Sequence, residues 1–536
     1  MAKLPGYIDF GDERLSQYQN NEDLFEGKAW EVFGVQQYEW FKMFNPANPR
    51  MSYVNYNVFS LISRLYADMI WGESPKVEFK NQELQDWFDN WREEVDFDVK
   101  GYEASLSASY YGDAVFKVST RETYPRSGVK QVVVDQIDPC IWFPDVDEES
   151  AEPPKSHTLL FEKKIGNDQK AYLLEIYTYG EIIYESYALN NGEYKEVDPN
   201  TYFADELANV ATKTRTREDG EVQYYIETGC QYPLIVNIPN LGTPSHFFGV
   251  PDYSDDVKSL SYAINQNLTA IQSIIMKHAD PMLVVPDSAI KQAIQDIGAD
   301  KTSRTAQNYG FGDTETFNTT VQTQPNIAKQ AVASQVIQNT KVMGLPSDGS
   351  GIEPKYVTWD AQLEAIFTQI KELKESVMQA CDVSPILINP DKSTGNLSGI
   401  ALKRLAYSTL NRAKRKQMYL KAGLKQLFYI VQEVAKNNGV AFPNAAPETP
   451  TIRFNDGLPS DLAEMAQTQQ LLLDAGIQST KDAVAYVYDM NEQQAVAKVA
   501  EIDKEKADKM ASFMPDGIQT QQNQPGNQDN QDNNAQ

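Results

Sequence analysis

The spacing of apolar positions along the chain changes several times, and each change marks a new kind of element. From Asn55 to Trp71 the positions Val58, Leu61, Ile62, Leu65, Ala67 and Met69 follow a helical period, and Gly72 with Pro75 closes the run. A second helix is predicted over Gln82 to Glu94, with Leu84, Trp87, Phe88 and Trp91 on one side, and Asp98 to Tyr111 continues helical as far as Gly112. There the period shortens to two: Ala114, Phe116 and Val118 alternate with more polar neighbours. Up to about Asn240 the chain is β-rich, with strands predicted over Val132 to Ile137, Thr158 to Lys163, Ala171 to Tyr179, Glu181 to Ala188 and Leu234 to Ile238. This order predicts an α+β domain.

Two long helical stripes follow. In Asp252 to His278 the series Val257, Leu260, Ile264, Leu268, Ile271 and Ile275 advances by 3, 4, 4, 3 and 4 residues. Ser254, Asp255 and Asp256 at its start, Lys277 and His278 at its end, and Pro281 beyond agree with the helix dipole. Asp252, Asp255 and Asp256 together read as a negatively biased first turn, not as a metal site. The second stripe, Asp360 to Cys381, carries Leu363, Ile366, Ile370, Leu373, Val377 and Ala380. Between these two rods lies a mixed segment, with a strand predicted over Met282 to Val285 and a helix over Ser288 to Ile297. After the second rod comes a Pro- and Gly-bearing loop, Ser384 to Gly399, and then a long amphipathic helix. A Pro-rich linker (Phe442 to Pro450), a strand at Thr451 to Phe454 and helices at Leu462 to Ala475, Ser479 to Asp489 and Glu492 to Lys509 complete the ordered pattern. Of the last 20 residues 12 are Gln or Asn, so the tail is disordered by composition.

Charge changes the picture in one place. The chain has 536 residues and a formal net charge of −27, which argues against a general nucleic-acid binder. Yet between Lys392 and Lys425 stand nine basic residues and no acidic one. Pairing with acidic surfaces of the same or a neighbouring subunit is the favoured reading of that helix, ahead of plain solvation and of direct DNA contact. Its apolar stripe is Leu402, Leu405, Thr409, Ala413, Leu420, Leu424, Leu427 and Val431.

Candidate chemistry is sparse. Three cysteines, Cys140, Cys230 and Cys381, stand far apart, which predicts reduced thiols and no zinc site. Three histidines, His157, His246 and His278, fall in different segments and form no HExxH pair. There is no GxxxxGK[ST] phosphate loop, and Asp145, Asp147, Glu148 and Glu149 read as a solvated acidic loop. No apolar run reaches membrane-span length and no signal peptide is visible, so a soluble intracellular chain without catalytic residues, cofactor or metal is predicted.

The order of parts from about Asn55 to Lys509 resembles the portal proteins of tailed bacteriophages. The resemblance rests on a collinear series: NYNVFSLISRLYADMIWGESP (Asn55 to Pro75), YYGDAVFKV (Tyr110 to Val118), IDPCIWFP (Ile137 to Pro144) and YPLIVNIPN (Tyr232 to Asn240). It continues through VMGLPSDGSG (Val342 to Gly351), YVTWD (Tyr356 to Asp360), LSGIALKRL (Leu397 to Leu405) and PSDLAEMAQTQQLLLDAGIQS (Pro459 to Ser479). What it implies is an α+β portal fold with wing, helical stem, small αβ clip and helical crown, assembling into a ring around a central channel. Residues 1–251 would form the N-terminal part of the wing, 252–280 the first stem helix, 281–357 the clip and 358–384 the second stem helix. Residues 385–398 would be the tunnel loop, 399–450 the long basic wing helix and linker, 451–514 the crown and 515–536 the disordered tail.

The resemblance also implies roles. Asp391, Lys392, Ser393, Thr394, Gly395 and Asn396 would face DNA in the channel, as a mobile steric contact that does not hold phosphates. Leu260, Ile264, Leu268, Ile271, Leu363, Ile366, Ile370 and Leu373 would pack the stem, with ring neighbours as the natural cover. Lys403, Arg404, Arg412, Lys414, Arg415 and Lys416 would form an intersubunit basic helix. Expected partners are further copies of the chain (a dodecamer in the virion), the terminase large subunit, a head-completion adaptor, major capsid and scaffolding proteins, and double-stranded DNA passing without sequence specificity; no membrane is expected. The location would be the capsid portal vertex, after assembly in the host cytoplasm. A capsid connector or scaffold protein without DNA passage is the alternative.

Overall fold

The computed structural model describes residues 4–34, 53–123, 128–146, 152–166, 169–190, 192–208, 210, 212–218, 220–244, 246–278, 282–286, 342–345, 355–357, 363–388, 399–455, 462–488, 490 and 492–513. The chain divides into a large unit ending at Gly457 and a C-terminal unit from Leu458.

The large unit opens with α1 (Glu13–Phe25), α2 (Ala29–Phe33), α3 (Val58–Trp71), β1 (Lys76–Glu78), α4 (Gln82–Glu94) and α5 (Phe97–Tyr111). Side chains at the starts of three of these helices satisfy amides left open by the first turn: Asp12 accepts from Arg14 N, Asn57 from Ser60 N, and Asn81 from Glu83 N and Leu84 N. α5 ends at Gly112, whose φ is +97°. A Cβ there would stand 2.4 Å from the Gly249 carbonyl oxygen, so glycine is required both for the turn and for the close approach of two backbones.

β2 (Asp113–Glu122) and β3 (Lys130–Ile137) form an antiparallel hairpin, and β4 (Trp142–Pro144), β5 (His157–Lys164), β6 (Lys170–Tyr177), β7 (Glu181–Asn190), β8 (Glu193–Val197), α6 (Pro199–Leu207), β9 (Lys213–Thr216), β10 (Val222–Glu227) and β11 (Ile235–Pro239) follow. One sheet runs β4-β5-β6-β7-β10-β9, with β8 on β7, and a second runs β11-β2-β3. The α+β class and the predicted strands stand. β8, β9 and β10 were not foreseen: none has a fully buried position, and β9 is exposed throughout.

The rods are α7 (Asp255–His278) and α8 (Leu363–Ala380), and they pack against each other. Between them β12 (Met282–Pro286) pairs in parallel with β13 (Val342–Leu345) and antiparallel with β14 (Lys355–Val357). The helix expected over Ser288 to Ile297 lies outside the described residues. The long basic helix is interrupted at Ala406, leaving α9 (Gly399–Leu405) and the 31-residue α10 (Tyr407–Asn437). Thr409, Ala413, Leu420, Leu424, Leu427 and Val431 of the predicted stripe are buried in α10, whereas Leu405 is exposed. α10 packs across β11, β2 and β3. There the Phe428 ring meets Phe88 and Phe97, with centroids 4.8 and 5.1 Å apart, in the main core.

β15 (Thr451–Arg453) returns to pair with β1. That strand, expected to open the C-terminal helical part, belongs to the large unit, because its ladder partner is β1, about 375 residues upstream. The C-terminal unit contains α11 (Leu462–Asp474), α12 (Thr480–Val487) and α13 (Glu492–Phe513). Among the described residues no helix is long and apolar enough to cross a membrane.

Candidate functional site

Both rods are fastened to α10 through one buried charge cluster. Its centre is Asp252, which stands three residues ahead of α7 and is wholly buried. The expectation that it belongs to an acidic first turn fails: helical geometry begins at Asp255, and the Asp252 amide instead donates to the Ser109 carbonyl (2.8 Å) at the end of α5. Its carboxylate receives Arg412 Nη2 on Oδ1 at 2.8 Å, Lys416 Nζ on Oδ2, the Ser109 hydroxyl on Oδ2 at 2.6 Å and Asn240 Nδ2 on Oδ1 at 3.3 Å. Arg412 and Lys416 are four residues apart on α10, which puts both cations on one face of the helix.

The base of the other rod arrives from the opposite side. Asp382, just past α8, adopts φ +56°, a conformation Asp tolerates better than most side chains. Its carboxylate Oδ2 receives Arg415 Nη2 at 2.7 Å and Arg412 Nη1 at 3.5 Å. The Thr409 hydroxyl donates to the Asp382 carbonyl (2.9 Å) and accepts the Ser384 amide (2.7 Å). Arg412 thus spans the bases of both rods.

Tyr66 of α3 forms the floor. Its hydroxyl donates to the Cys381 carbonyl at 2.5 Å, and the Lys416 ammonium lies 4.2 Å from its ring centroid. Beside it, the Tyr253 hydroxyl donates to the Phe59 carbonyl (2.9 Å) and lies 2.6 Å from the Ser63 hydroxyl.

Electrostatics follow from this crowding. Burial alone would raise the Asp252 carboxyl, but the Lys416 and Arg412 charges outweigh it and hold Asp252 at about 2. Burial pulls the Lys416 ammonium down, against the upward pull of Asp252. Arg412 is held up by Asp252 despite its own burial.

A second buried acid supports the same region from below. Asp113, at the start of β2, accepts from Gly249 N (3.1 Å to each oxygen), Asn237 Nδ2 (3.0 Å) and the Tyr18 hydroxyl (3.3 Å). Burial pushes its carboxyl up to about 6, against those donors.

The rod pair carries two different faces. On α7, Val257, Ile264 and Ile271 are buried and Leu260 and Leu268 half-buried; on α8, Ile370 and Val377 are buried and Ile366 and Leu373 half-buried, with Leu363 at the helix start. The expectation that ring neighbours supply the cover is corrected for the buried positions, since the two rods already cover one another within one chain. The other face of α7 is a polar stripe at every fourth residue, Ser261, Asn265, Thr269 and Ser273, all buried. Asn265 Oδ1 accepts the Tyr56 amide (2.7 Å) and its Nδ2 reaches Tyr53 Oη (2.9 Å), while the Thr269 hydroxyl accepts the Val54 amide (3.0 Å). Across on α8, Lys374 Nζ sits 4.1 Å from the Tyr56 ring centroid. Residues 53–56 therefore strap both rods.

The basic residues divide accordingly. Arg412, Arg415 and Lys416, expected between subunits, are engaged inside the chain, because the rod bases bring Asp252 and Asp382 to them. Lys403, Arg404 and Lys414 are exposed. Asp391, Lys392, Ser393, Thr394, Gly395 and Asn396 lie outside the described residues, as do Asp147, Glu148 and Glu149. His157 is a core residue that accepts Trp142 Nε1–H on Nδ1 (3.1 Å), and burial lowers it to about 4. Burial raises the Cys230 and Cys381 thiols to about 12. Among the described residues no group of three or more His, Cys, Asp or Glu side chains is placed to hold a metal ion.

The family described as phage portal protein, SPP1 Gp6-like, matches residues 7–511. No curated protein matches the chain.

Proposed function

The chain belongs to the phage portal protein family, SPP1 Gp6-like, and from that premise we propose that it forms the ring-shaped channel at one capsid vertex through which double-stranded DNA is packaged and ejected. Membership places it in the capsid as an oligomeric, structural component. The finer reading takes the ring as a dodecamer and the α+β part, with α10, as its wing. α7 and α8 form the stem, the segment between them the clip, and the helices from Leu462 the crown. The clip docks the terminase large subunit during packaging and a head-completion adaptor afterwards, and the body contacts major capsid and scaffolding proteins. Asp391, Lys392, Ser393, Thr394, Gly395 and Asn396 form a tunnel loop against passing DNA.

One observation carries this reading beyond the family match. Two long helices, separated in sequence by about eighty residues, are anchored at a common base by Arg412 to Asp252 and Asp382. A channel wall has to transmit load from whatever docks at its tip to the body that holds it, and a shared buried anchor couples both helices to one body helix. An acidic chain suits DNA transit, since a wall that neutralised phosphates would retain the duplex. Negative-stain imaging of the purified full chain tests the proposal. Rings with a central hole wide enough for duplex DNA are expected; compact monomers at every concentration would refute it.

A further inference from the structure

α10 presents two faces of opposite character. The inward face holds Thr409, Ala413, Leu420, Leu424 and Leu427. The outward face, at spacings of 7, 4, 3 and 4 residues, holds Tyr407, Lys414, Met418, Lys421 and Lys425. Tyr407 and Met418 are 66% and 64% exposed, large apolar side chains set among lysines on an otherwise polar face. Tyr and Met are among the side chains enriched at protein interfaces, and here both share one helix face with a row of like charges. The three lysines take no part in the ion pairs to Asp252 and Asp382.

α4 presents the complementary face. Leu84, Phe88 and Trp91 point inward, while Glu83, Asp86, Asp89 and Glu93 stand exposed on the outside. Among the described residues no ion pair engages Glu83, Asp86 or Glu93, and the helix's own Arg92 turns to Asp98 at 2.5 Å. Both helices direct their apolar sides into the same core, where Phe88 and Phe428 meet. Their charged faces are turned away from that core, and among the described residues no ion pair joins Lys414, Lys421 or Lys425 to Glu83, Asp86 or Glu93 within the chain.

We propose that the Tyr407–Lys425 face of α10 docks on the acidic face of α4 in a second copy of this chain. The proposal rests on the oligomeric reading above and names the surfaces that join neighbours. A chain with a basic patch on one side and an acidic patch on another makes a heterologous contact, and repetition of such a contact closes a ring when the rotation permits. Opposite charge sets register and disfavours contact between identical faces, while Tyr407 and Met418 supply the desolvated centre.

The test is a charge swap in the full chain, read by native mass spectrometry and by the concentration at which rings dissociate. Lys414, Lys421 and Lys425 are replaced together by Glu in one variant, and Glu83, Asp86 and Glu93 together by Lys in another. Each alone is expected to raise the dissociation concentration by about tenfold or more at low salt, with a smaller effect at high salt. The combined variant, in which both faces are reversed, is expected to return to within about threefold of the parent. Tyr407→Ser with Met418→Ser, which leaves charge unchanged, is expected to weaken the ring at all salt concentrations. Rings unaffected by either reversal, or reversals whose losses add without rescue, would overturn the proposal while leaving the ring itself intact. Intact rings combined with lost DNA retention in the lysine variant would also overturn it, assigning that face to nucleic acid. A parent chain that forms no ring would instead remove the oligomeric reading on which it stands.

Discussion

Asp252→Asn is the perturbation that separates an anchor from an ordinary surface ion pair. The carboxylate is wholly buried and faces two cations; its loss leaves Arg412 and Lys416 side by side without the charge that justified their burial. Arg412 keeps Asp382 at 3.5 Å, but Lys416, 4% exposed, keeps only the Tyr66 ring. Breaking a buried pair from one side costs about 3–5 kcal/mol. Lys416→Met is a much smaller insult, since the apolar stem is preserved and Asp252 still receives Arg412, Ser109 and Asn240; about 1 kcal/mol is expected. The double variant, with one charge of each sign removed, should recover much of the Asp252→Asn loss. Amide hydrogen exchange across residues 407–420 reads the local effect directly. At roughly 1.4 kcal/mol per decade, Asp252→Asn should speed exchange about 10²- to 4 × 10³-fold, and Lys416→Met less than about tenfold. Equal effects of the two single variants, or a double variant as fast as Asp252→Asn, would show that the cluster is not an anchor of this kind.

Other consequences follow from the same geometry. Because Lys416 and Arg412 hold Asp252 at about 2, below the unfolded carboxylate range, its contribution is present above pH 4 and disappears as pH falls towards 2, so exchange across α10 should rise over that interval in the parent and not in Asp252→Asn. Asp113 works the other way: held near 6 by burial, it favours the folded state below pH 4 and loses that contribution, about 3 kcal/mol, as pH rises through 6; a pH series of urea unfolding should show this slope flattened in Asp113→Asn. Ile264→Ala opens a void in the rod pair and should cost about 2–5 kcal/mol, seen as faster proteolysis of the rods with β2 to β7 still protected, whereas Leu268→Asp, at a half-buried position, should reduce ring mass more than it disturbs the α+β part; unchanged ring mass would argue against stem contacts there. Deleting 391–396 should leave rings intact but impair packaging or genome retention in particles, and normal particles would remove the steric role of that loop.

The rods and the inner strands were readable because each has one buried face, and burial imposes a period. α4 was predicted with the bounds it has, since Asn81 caps it and Leu84, Phe88 and Trp91 mark its inner side. β9 was invisible for the converse reason, since Lys213 to Thr216 are all exposed and carry no apolar alternation; β10 does alternate, at Val222, Tyr224 and Ile226, but over a strand of only six residues. The anchor was equally hidden. Asp252 next to Asp255 and Asp256 looks like dipole compensation, and Arg412 and Lys416 read as members of a basic run that pairs with some acidic surface, but neighbours in sequence do not reveal which partner lies 160 residues away. A hint existed in the spacing Arg412, Lys416, Leu420, Leu424, which places two cations in line with the buried apolar face. The polar stripe Ser261, Asn265, Thr269 and Ser273 was likewise legible as a four-residue repeat, but only the strap at 53–56 gives it meaning.

The most direct test of the account is a density reconstruction of the assembled full chain. It should show a closed ring in which α7 and α8 run side by side along the central channel, with Asp252, Arg412 and Asp382 at the root of every pair. A ring with these helices on its outer rim, or an assembly without a central passage, would contradict it.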